Sequence, residues 1–540
     1  RAALLHQFPS PDGKKLLPRE LELPAPVKRS SGVSANFLCD NASYILCMDN
    51  KGKPERTIEC FSAAKKLHSE ILSACNTIVS EAIIRFFDGW DPQQKNIPVF
   101  NNFKEEMIAG DNITFLFDGR IVTEYKEIRQ AWQQYYDNES GDDKQCCLIT
   151  GKPSVPESVH PAIKNVRDAQ SSGAALVSFN APAFCSYGKE QNVNAPVSKY
   201  AAFAYTSALN YLLADRSHVK VIGNTSVVYW AKDAEDQYQD IFAFLLDGGG
   251  EQISDEDLNS LMTAVSSGRE YDFNSLPVKP ENEFYILGIS PNAARLSVRF
   301  FYCSSFGETV KNLKKHYDDI AVVSDGKSKW PMMPLWALLR ETVNNNASDK
   351  SPLPQLSGDM LKSMISGTRY PETIFNQTML RIRAERKITQ GKAAVIKGYL
   401  LRNTEYYPER DKIKEVATVS LQQDSTYTPY VLGRLFSVLE AVQQDANPGV
   451  NATIKDRFFN SACATPAATF PILLKLSNSH IRKLNSGKAV FWSKQIGDLS
   501  DKLAPTFPAH LSLQEQGAFI LGYYHQTQKR YEKKTVNEEE

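Results

Sequence analysis

After Trp330 the chain reads as one helix after another, and that succession limits what it can fold into. Apolar residues recur at helical spacing through 335–343, 358–366, 371–403, 429–446, 452–461, 470–484, 491–499 and 513–534. Stripes of that kind bury themselves helix on helix. The front is mixed. Residues 42–48 (ASYILCM) read as a strand and 49–53 as a turn. Residues 60–90 have helical periodicity through Leu67, Ile71, Leu72, Cys75, Ile78, Val79, Ala82 and Phe86. A strand at 113–117 closes at Asp118-Gly119, a helix follows over 121–136, and VVYW marks a strand within 219–230. Residues 284–302 read as two strands about Ser290-Pro291-Asn292, with a helix over 308–316. The expected fold is an α+β N-terminal region of mixed strands and helices, followed by an all-α, basic C-terminal helical bundle. Boundaries are expected at 1–232, 233–283, 284–345, 346–415 and 416–540, with no repeat of fixed period.

Charge sharpens that division. The 62 Lys and Arg balance the 62 Asp and Glu, at a pI near 7.2. The balance is not evenly spread. Residues 233–283 hold 13 acidic and two basic residues, while 361–534 hold 25 basic and 14 acidic ones. Such segregation fits a protein that touches polyanions on some faces only. Arg381, Arg383, Arg386, Lys387, Lys392, Lys397, Arg457, Lys475, Arg482 and Lys483 form either a solvated helix face or a groove for single-stranded DNA or an RNA–DNA hybrid. Nine cysteines without a CxxC pair suggest reduced thiols and a cytoplasmic protein. Cys146 and Cys147 are expected to form a buried strand pair. No run is long enough for a membrane span, and no signal peptide opens the chain. Arg1 in place of methionine suggests that the sequence lacks its true start.

Familiar catalytic motifs are missing. There is no GxxxxGK[ST] phosphate loop, no HExxH or other metal-spaced cluster, and no GxSxG elbow. The eight histidines are scattered; His160 and His525 read as packing or surface residues rather than bases or ligands. No cofactor is expected. Sites assembled from distant residues still leave room for catalysis.

Two stretches carry the chemistry of recognition. In 28–41 (KRSSGVSANFLCDN), Lys28 and Arg29 supply charge for phosphate, Gly32 allows close backbone approach, and Asn36 can both donate and accept. The second stretch begins at Thr150-Gly151-Lys152 and runs through Lys164, Arg167, Gly173, Ser178, Asn180, Tyr187-Gly188, Gln191 and Asn192. A short strand is expected at 174–177 and a helix at 198–213. Amides read base edges because each carries a donor and an acceptor. The same amides can also satisfy backbone groups and only hold the fold. The residues alone leave both readings open.

A set of phrases resolves the choice by resemblance. RSSGVSANFLCDN (29–41), CLITGK (147–152), HPAIKNV (160–166), SSGAALVSFNAPAFCSYGKEQNVNAPVS (171–198), ILGISPNAARLSVRFF (286–301), YVLGRLFSVLEAVQ (430–443) and QGAFILGYYHQ (516–526) closely resemble the large subunit of the type I-C CRISPR effector complex, Cascade. The resemblance implies a non-catalytic subunit of a crRNA-guided surveillance complex. Such a subunit recognises the protospacer-adjacent motif (PAM) in double-stranded DNA and promotes duplex opening and R-loop formation. Its implied partners are crRNA, the target duplex, the Cascade backbone and crRNA-processing subunits, small subunits, and a helicase-nuclease recruited in trans; no membrane is implied. Related large subunits read PAM in the minor groove with a glycine-rich loop, a lysine and an amide wedge. Carried over as roles, Gly32, Asn36, Gly173, Ser178, Asn180, Gln191 and Asn192 become groove candidates. Lys28, Arg29, Lys152, Lys164 and Arg167 become phosphate candidates. The resemblance also implies a separate small subunit made by internal translation of the C-terminal helices. No methionine follows Met379, so a product starting near Val416 or Val419 needs a non-AUG codon such as GUG. Family members usually carry a further N-terminal segment upstream of this start. The alternatives are a metal-dependent nuclease acting on bound DNA and a purely structural scaffold.

Overall fold

The computed structural model describes residues 7–9, 16–18, 21–24, 26–27, 32–48, 52–91, 103, 110–138, 144–233, 237–248, 255–273, 276–324, 332–348 and 350–531. Lys28, Arg29 and most of the turn expected at 49–53 lie outside the described residues. The chain divides into two units, one of residues 1–161 and 177–207, the other of residues 162–176 and 208–540.

In the first unit, helices Pro54–Leu72 and Ile78–Gly89 pack around Phe37, Leu38, Ile45, Phe61, Ile83 and Phe87. The periodicity over 60–90 predicts helix, and the structure breaks it in two. Thr77 ends the gap: its hydroxyl accepts from Ser80 N at 3.2 Å, and its own N–H donates to Ser80 Oγ at 3.1 Å. That reciprocal cap fixes the second helix start. His68 lies inside, where its Nε2 accepts from Leu38 N at 2.9 Å and Nδ1 donates to Ala64 O at 2.7 Å. Burial pushes its pKa down to about 4 against smaller upward pulls from the Ala64 carbonyl and Asp40. Residues 42–48 do not form the expected strand. Asn41 Oδ1 accepts from Ser43 N and caps a helical turn, Ala42–Ile45; the strand is the preceding Cys39–Asn41, paired with Asn112–Thr114. A two-residue pair, Leu116–Phe117 with Arg120–Ile121, closes at Asp118-Gly119, and helix Lys126–Asn138 follows, close to the expectation.

The second unit is built on a four-stranded antiparallel sheet in the order Arg295–Ser305, Glu283–Asn292, Thr225–Ala231, Val219–Ile222. The long hairpin turns at Ala293-Ala294, directly after the expected Ser-Pro-Asn turn, because Ser290, Pro291 and Asn292 all pair within the ladder. Ser305 caps helix Phe306–Ile320 through Glu308 N. Although acidic, 233–283 puts Tyr238, Ile241, Phe242, Leu245 and Val265 into the same core as Tyr229, Phe284 and Phe306. Ring centroids of Phe242 and Phe284 lie 5.1 Å apart.

The remaining helices match the helix-rich reading. The single helix expected over 371–403 is two, Glu372–Glu385 and Gln390–Asn403: Arg386 turns left-handed at φ +53°, and Thr389 caps the next helix through Lys392 N at 3.1 Å. Helices Thr428–Ala446 and Leu513–Tyr531 approach backbone to backbone. A Cβ on Gly433 would overlap the Phe519 carbonyl, and one on Gly522 the Tyr430 carbonyl. Tyr430 Oη and His525 Nδ1 bond at 2.9 Å across that contact, so His525 is a packing residue.

Candidate nucleic-acid interface

Residues 145–154 of the first unit form a short hairpin, with Gln145 opposite Ser154 and Cys146 opposite Pro153. Its tip satisfies its own backbone: Cys147 N donates to Lys152 O and Gly151 N to Cys147 O, both at 2.9 Å. Tight closure turns the side chains outward. Leu148 is 68% and Ile149 59% exposed, and Lys152 is exposed beside them. The cysteines do not form the expected buried strand pair. Cys146 is exposed on the strand, whereas Cys147 is buried past its end. Burial pushes the Cys147 thiol up. Hydrogen bonds from Ser198 and Thr150, including their N–H groups at 3.3 and 3.5 Å, outweigh it and bring the thiol down to about 6. With Val197, Ala201 and Ala202, Cys147 makes a small core beneath the tip.

The amide-rich loop runs alongside. Leu148 N donates to Pro196 O at 2.9 Å, Glu157 N to Val197 O at 2.8 Å and Asn192 N to Ser158 O at 3.4 Å. Asn194 organises the loop. Its Oδ1 accepts from Ser186 N at 3.0 Å, and its Nδ2 donates to Lys189 O and Gln191 O at 3.2 and 2.8 Å. Tyr187 is held left-handed at φ +55° with its side chain 98% exposed, and Gln191 at φ +43° is exposed too. Asn180 is exposed and Ser178 half-buried. Asn192 is buried, and its Oδ1 takes no hydrogen bond among the described residues. Lys152 on the hairpin and Asn180 and Gln191 on the 178–198 stretch are therefore all exposed within the first unit. Leu148 and Ile149 were missed as candidates, although two large apolar residues before a Thr-Gly turn are a readable signal.

Elsewhere in the first unit, Gly32 is exposed and left-handed, and its carbonyl accepts from Arg56 Nη2 at 3.0 Å. Asn36 is bound into its own segment, where Oδ1 accepts from Val27 N at 2.8 Å and its N–H donates to Asp40 Oδ2 at 2.9 Å. His160 is a packing residue. Its Nδ1 lies 2.7 Å from Tyr205 Oη, and burial lowers the imidazole and raises the phenol to about 12.

Three candidates belong to the second unit. Lys164 N donates to Asn210 Oδ1 at 2.7 Å, and Arg167 N to Ser226 Oγ at 3.1 Å; both side chains are exposed. Arg167 Nε also pairs with Asp168 at 3.2 Å. Gly173 packs tightly: at φ +93°, a Cβ there would lie 2.8 Å from Ile163 O and 2.9 Å from Ala162 Cβ. The strand expected at 174–177 reduces to single bridges, Ile163 to Ala174 and Ala175 to Arg295. Farther along, Lys392 and Lys397 are interior. Lys392 Nζ bonds Glu385 at 2.5 Å, and Lys397 Nζ bonds the carbonyls of Asp318 and Asp319 at 2.9 and 3.0 Å. They belong neither to a solvated face nor to a groove. Among the described residues no group of three or more His, Cys, Asp and Glu could hold a metal ion. Among them too, no helix is long and apolar enough to cross a membrane.

A family model described as CRISPR-associated protein (Cas_Csd1) matches residues 2–531. The chain belongs to this family. Cas_Csd1 is the family of the type I-C CRISPR large subunit, in keeping with the phrases spread along the sequence. No curated protein matches the chain.

Proposed function

We propose that this Cas_Csd1 chain is the non-catalytic, DNA-reading large subunit of a crRNA-guided surveillance complex, and that it meets PAM-bearing duplex DNA with the 147–152 hairpin tip and the 178–191 loop. One observation carries the reading: the tip is hydrogen-bonded to the chain that follows the loop, Leu148 N to Pro196 O, and Lys152, Asn180, Tyr187 and Gln191 all face solvent. Lysine supplies phosphate charge, and the amides supply paired donors and acceptors for base edges. Leu148 and Ile149 offer apolar contact to a groove that is bent or opened. In this reading the subunit works with crRNA, the repeated backbone and crRNA-processing subunits and small subunits. It promotes duplex opening and R-loop formation, and cleavage falls to a helicase-nuclease recruited in trans. Arg167 and Lys164 remain phosphate candidates on the second unit.

The test is duplex binding by the assembled complex, with and without PAM. Asn180→Ala and Gln191→Ala are expected to lower the preference for PAM-bearing duplex while assembly is normal. Equal preference in wild type and both variants would count against this surface. Divalent-metal-dependent cutting by the purified subunit would count against the non-catalytic assignment.

A further inference from the structure

A cavity of about 600 Å³ in the second unit has a wall that the function above does not use. Its floor is Arg402, on helix Gln390–Asn403, whose side chain is 2% exposed. The guanidinium is held from three sides. Nε donates to Asp319 Oδ2 at 2.7 Å, Nη1 donates to Ser363 O and Thr368 O at 2.9 and 3.1 Å, and Tyr370 lies under its plane at 4.6 Å. Nη2 has no partner among the described residues. The turn above it is clamped, because Asn403 accepts from Tyr370 N at 3.1 Å and donates to Tyr370 O at 2.8 Å.

Charge around this floor is one-sided. Asp319 offsets Arg402, and Glu405 meets Arg369 at 3.4 Å in a pair exposed on both sides, which holds little. Lys315, Arg410 and Lys414 also line the cavity; all three are exposed and form no ion pair among the described residues. Arg410 and Lys414 are four apart on one helix, Arg410–Val416, and so share a face. Three unopposed cations over a fixed guanidinium make a receptor for a phosphate group. At its rim Arg369 stacks on Tyr406 at 4.2 Å, and Tyr406 is 75% exposed. An open aromatic face beside a phosphate receptor suits a nucleotide within a flexible strand, base on the ring and phosphate in the cavity.

We infer that this cavity binds a backbone phosphate of single-stranded nucleic acid, with Tyr406 stacking the adjoining base. The site shares no residue with the PAM-reading surface and is independent of sequence. The probe is a labelled 20-nucleotide DNA strand titrated against the full chain at several salt concentrations. Arg410→Glu/Lys414→Glu changes exposed residues only and is expected to weaken binding at least tenfold at about 0.1 M salt. It should also flatten the log–log salt slope by about 1.4, two single-strand phosphate contacts' worth. Tyr406→Ala, which leaves the charge alone, should weaken binding about fivefold or more with the slope kept. Preference for PAM-bearing over PAM-free duplex should stay at the wild-type ratio in both variants, which separates this site from the surface carrying Asn180 and Gln191. Inorganic phosphate is the second probe. If it raises the melting temperature of wild type but not of the double variant, while strand binding is unmoved, the strand is overturned as ligand in favour of a small phosphate compound. Strand affinity, slope and phosphate response all equal to wild type would overturn the site.

Discussion

Residues 164–176 and 178–198 each combine one glycine with amides and small hydroxyls, yet the structure uses them in opposite ways. The first segment is closed on itself by the Ile163–Ala174 bridge and bound into the sheet through Arg167 N on Ser226 and the Ala175–Arg295 bridge. The second leaves Asn180, Tyr187 and Gln191 in solvent around an internal brace, Asn194. Polar sequence thus serves packing where its backbone is claimed by the sheet, and leaves side chains open to solvent where a side-chain brace holds the loop. Glycine shows the same split. Gly173 and Gly188 are both left-handed, at φ +93° and +68°, but only Gly173 has atoms where a Cβ would stand.

The sharpest way to break the comparison is to substitute both. Gly173→Ala combines left-handed strain with overlap on a backbone oxygen and should destabilise its unit by about 4 kcal/mol. Gly188→Ala carries strain alone and should cost about 1 kcal/mol. Thermal melts, with hydrogen exchange on strands Glu283–Asn292 and Arg295–Ser305, separate the two. Equal losses would erase the distinction.

Acid should act on the first unit through His68. Its pKa falls from 6.5 in the unfolded chain to about 4 in the folded one, so the unfolded state binds the extra proton in that window. The contribution is complete above about pH 6.5 and is lost as pH falls toward 4, by about 3 kcal/mol in all. His68→Gln should reduce the loss of protection between pH 7 and 4.5, read by hydrogen exchange in helix Pro54–Leu72. The wild-type pH profile in that helix would show that His68 is not its source.

Side chains that face solvent should show the reverse pattern. Lys152→Ala, Asn180→Ala and Gln191→Ala are expected to leave melting within about 0.5 kcal/mol of wild type. Each should weaken PAM-duplex binding by about tenfold, Lys152→Ala without regard to sequence and the amide variants mainly on PAM-bearing duplex. A variant that melts early would place its residue with Gly173, in the fold.

Much of this architecture was legible in the sequence because helical periodicity survives packing. The helices after Trp330 follow from it, and the paired strands of 283–305 from two strand-like apolar runs about a turn. What escaped were breaks set by single caps: Thr77, Thr389 and Asn41 each redirect a run that periodicity alone would continue or assign to strand. At the interface, residue type showed that amides and glycines were present but not which way they faced. Asn192 and Gln191 are neighbours of similar chemistry, one buried and one exposed, and only the loop's path decides between them. Likewise Lys392 and Lys397 look like groove cations until their partners, Glu385 and two helix-end carbonyls, are seen.

The smallest effect tests the brace itself. Asn194 faces no ligand in this reading, yet it makes three bonds that set the loop's path, to Ser186 N, Lys189 O and Gln191 O. Asn194→Ala removes all three from a loop whose groups can turn to water, so the net cost should be about 1 kcal/mol. If the loop recognises DNA by being held in shape, that small loss of order should lower PAM preference alongside faster proteolysis at 184–191. Asn194→Asp keeps the acceptor for Ser186 N and loses both donors, so it should fall between alanine and wild type in proteolysis and in PAM preference alike. Faster cleavage with an unmoved PAM ratio would mean that the loop's shape does not carry recognition, and would return 178–198 to the same structural role as 164–176.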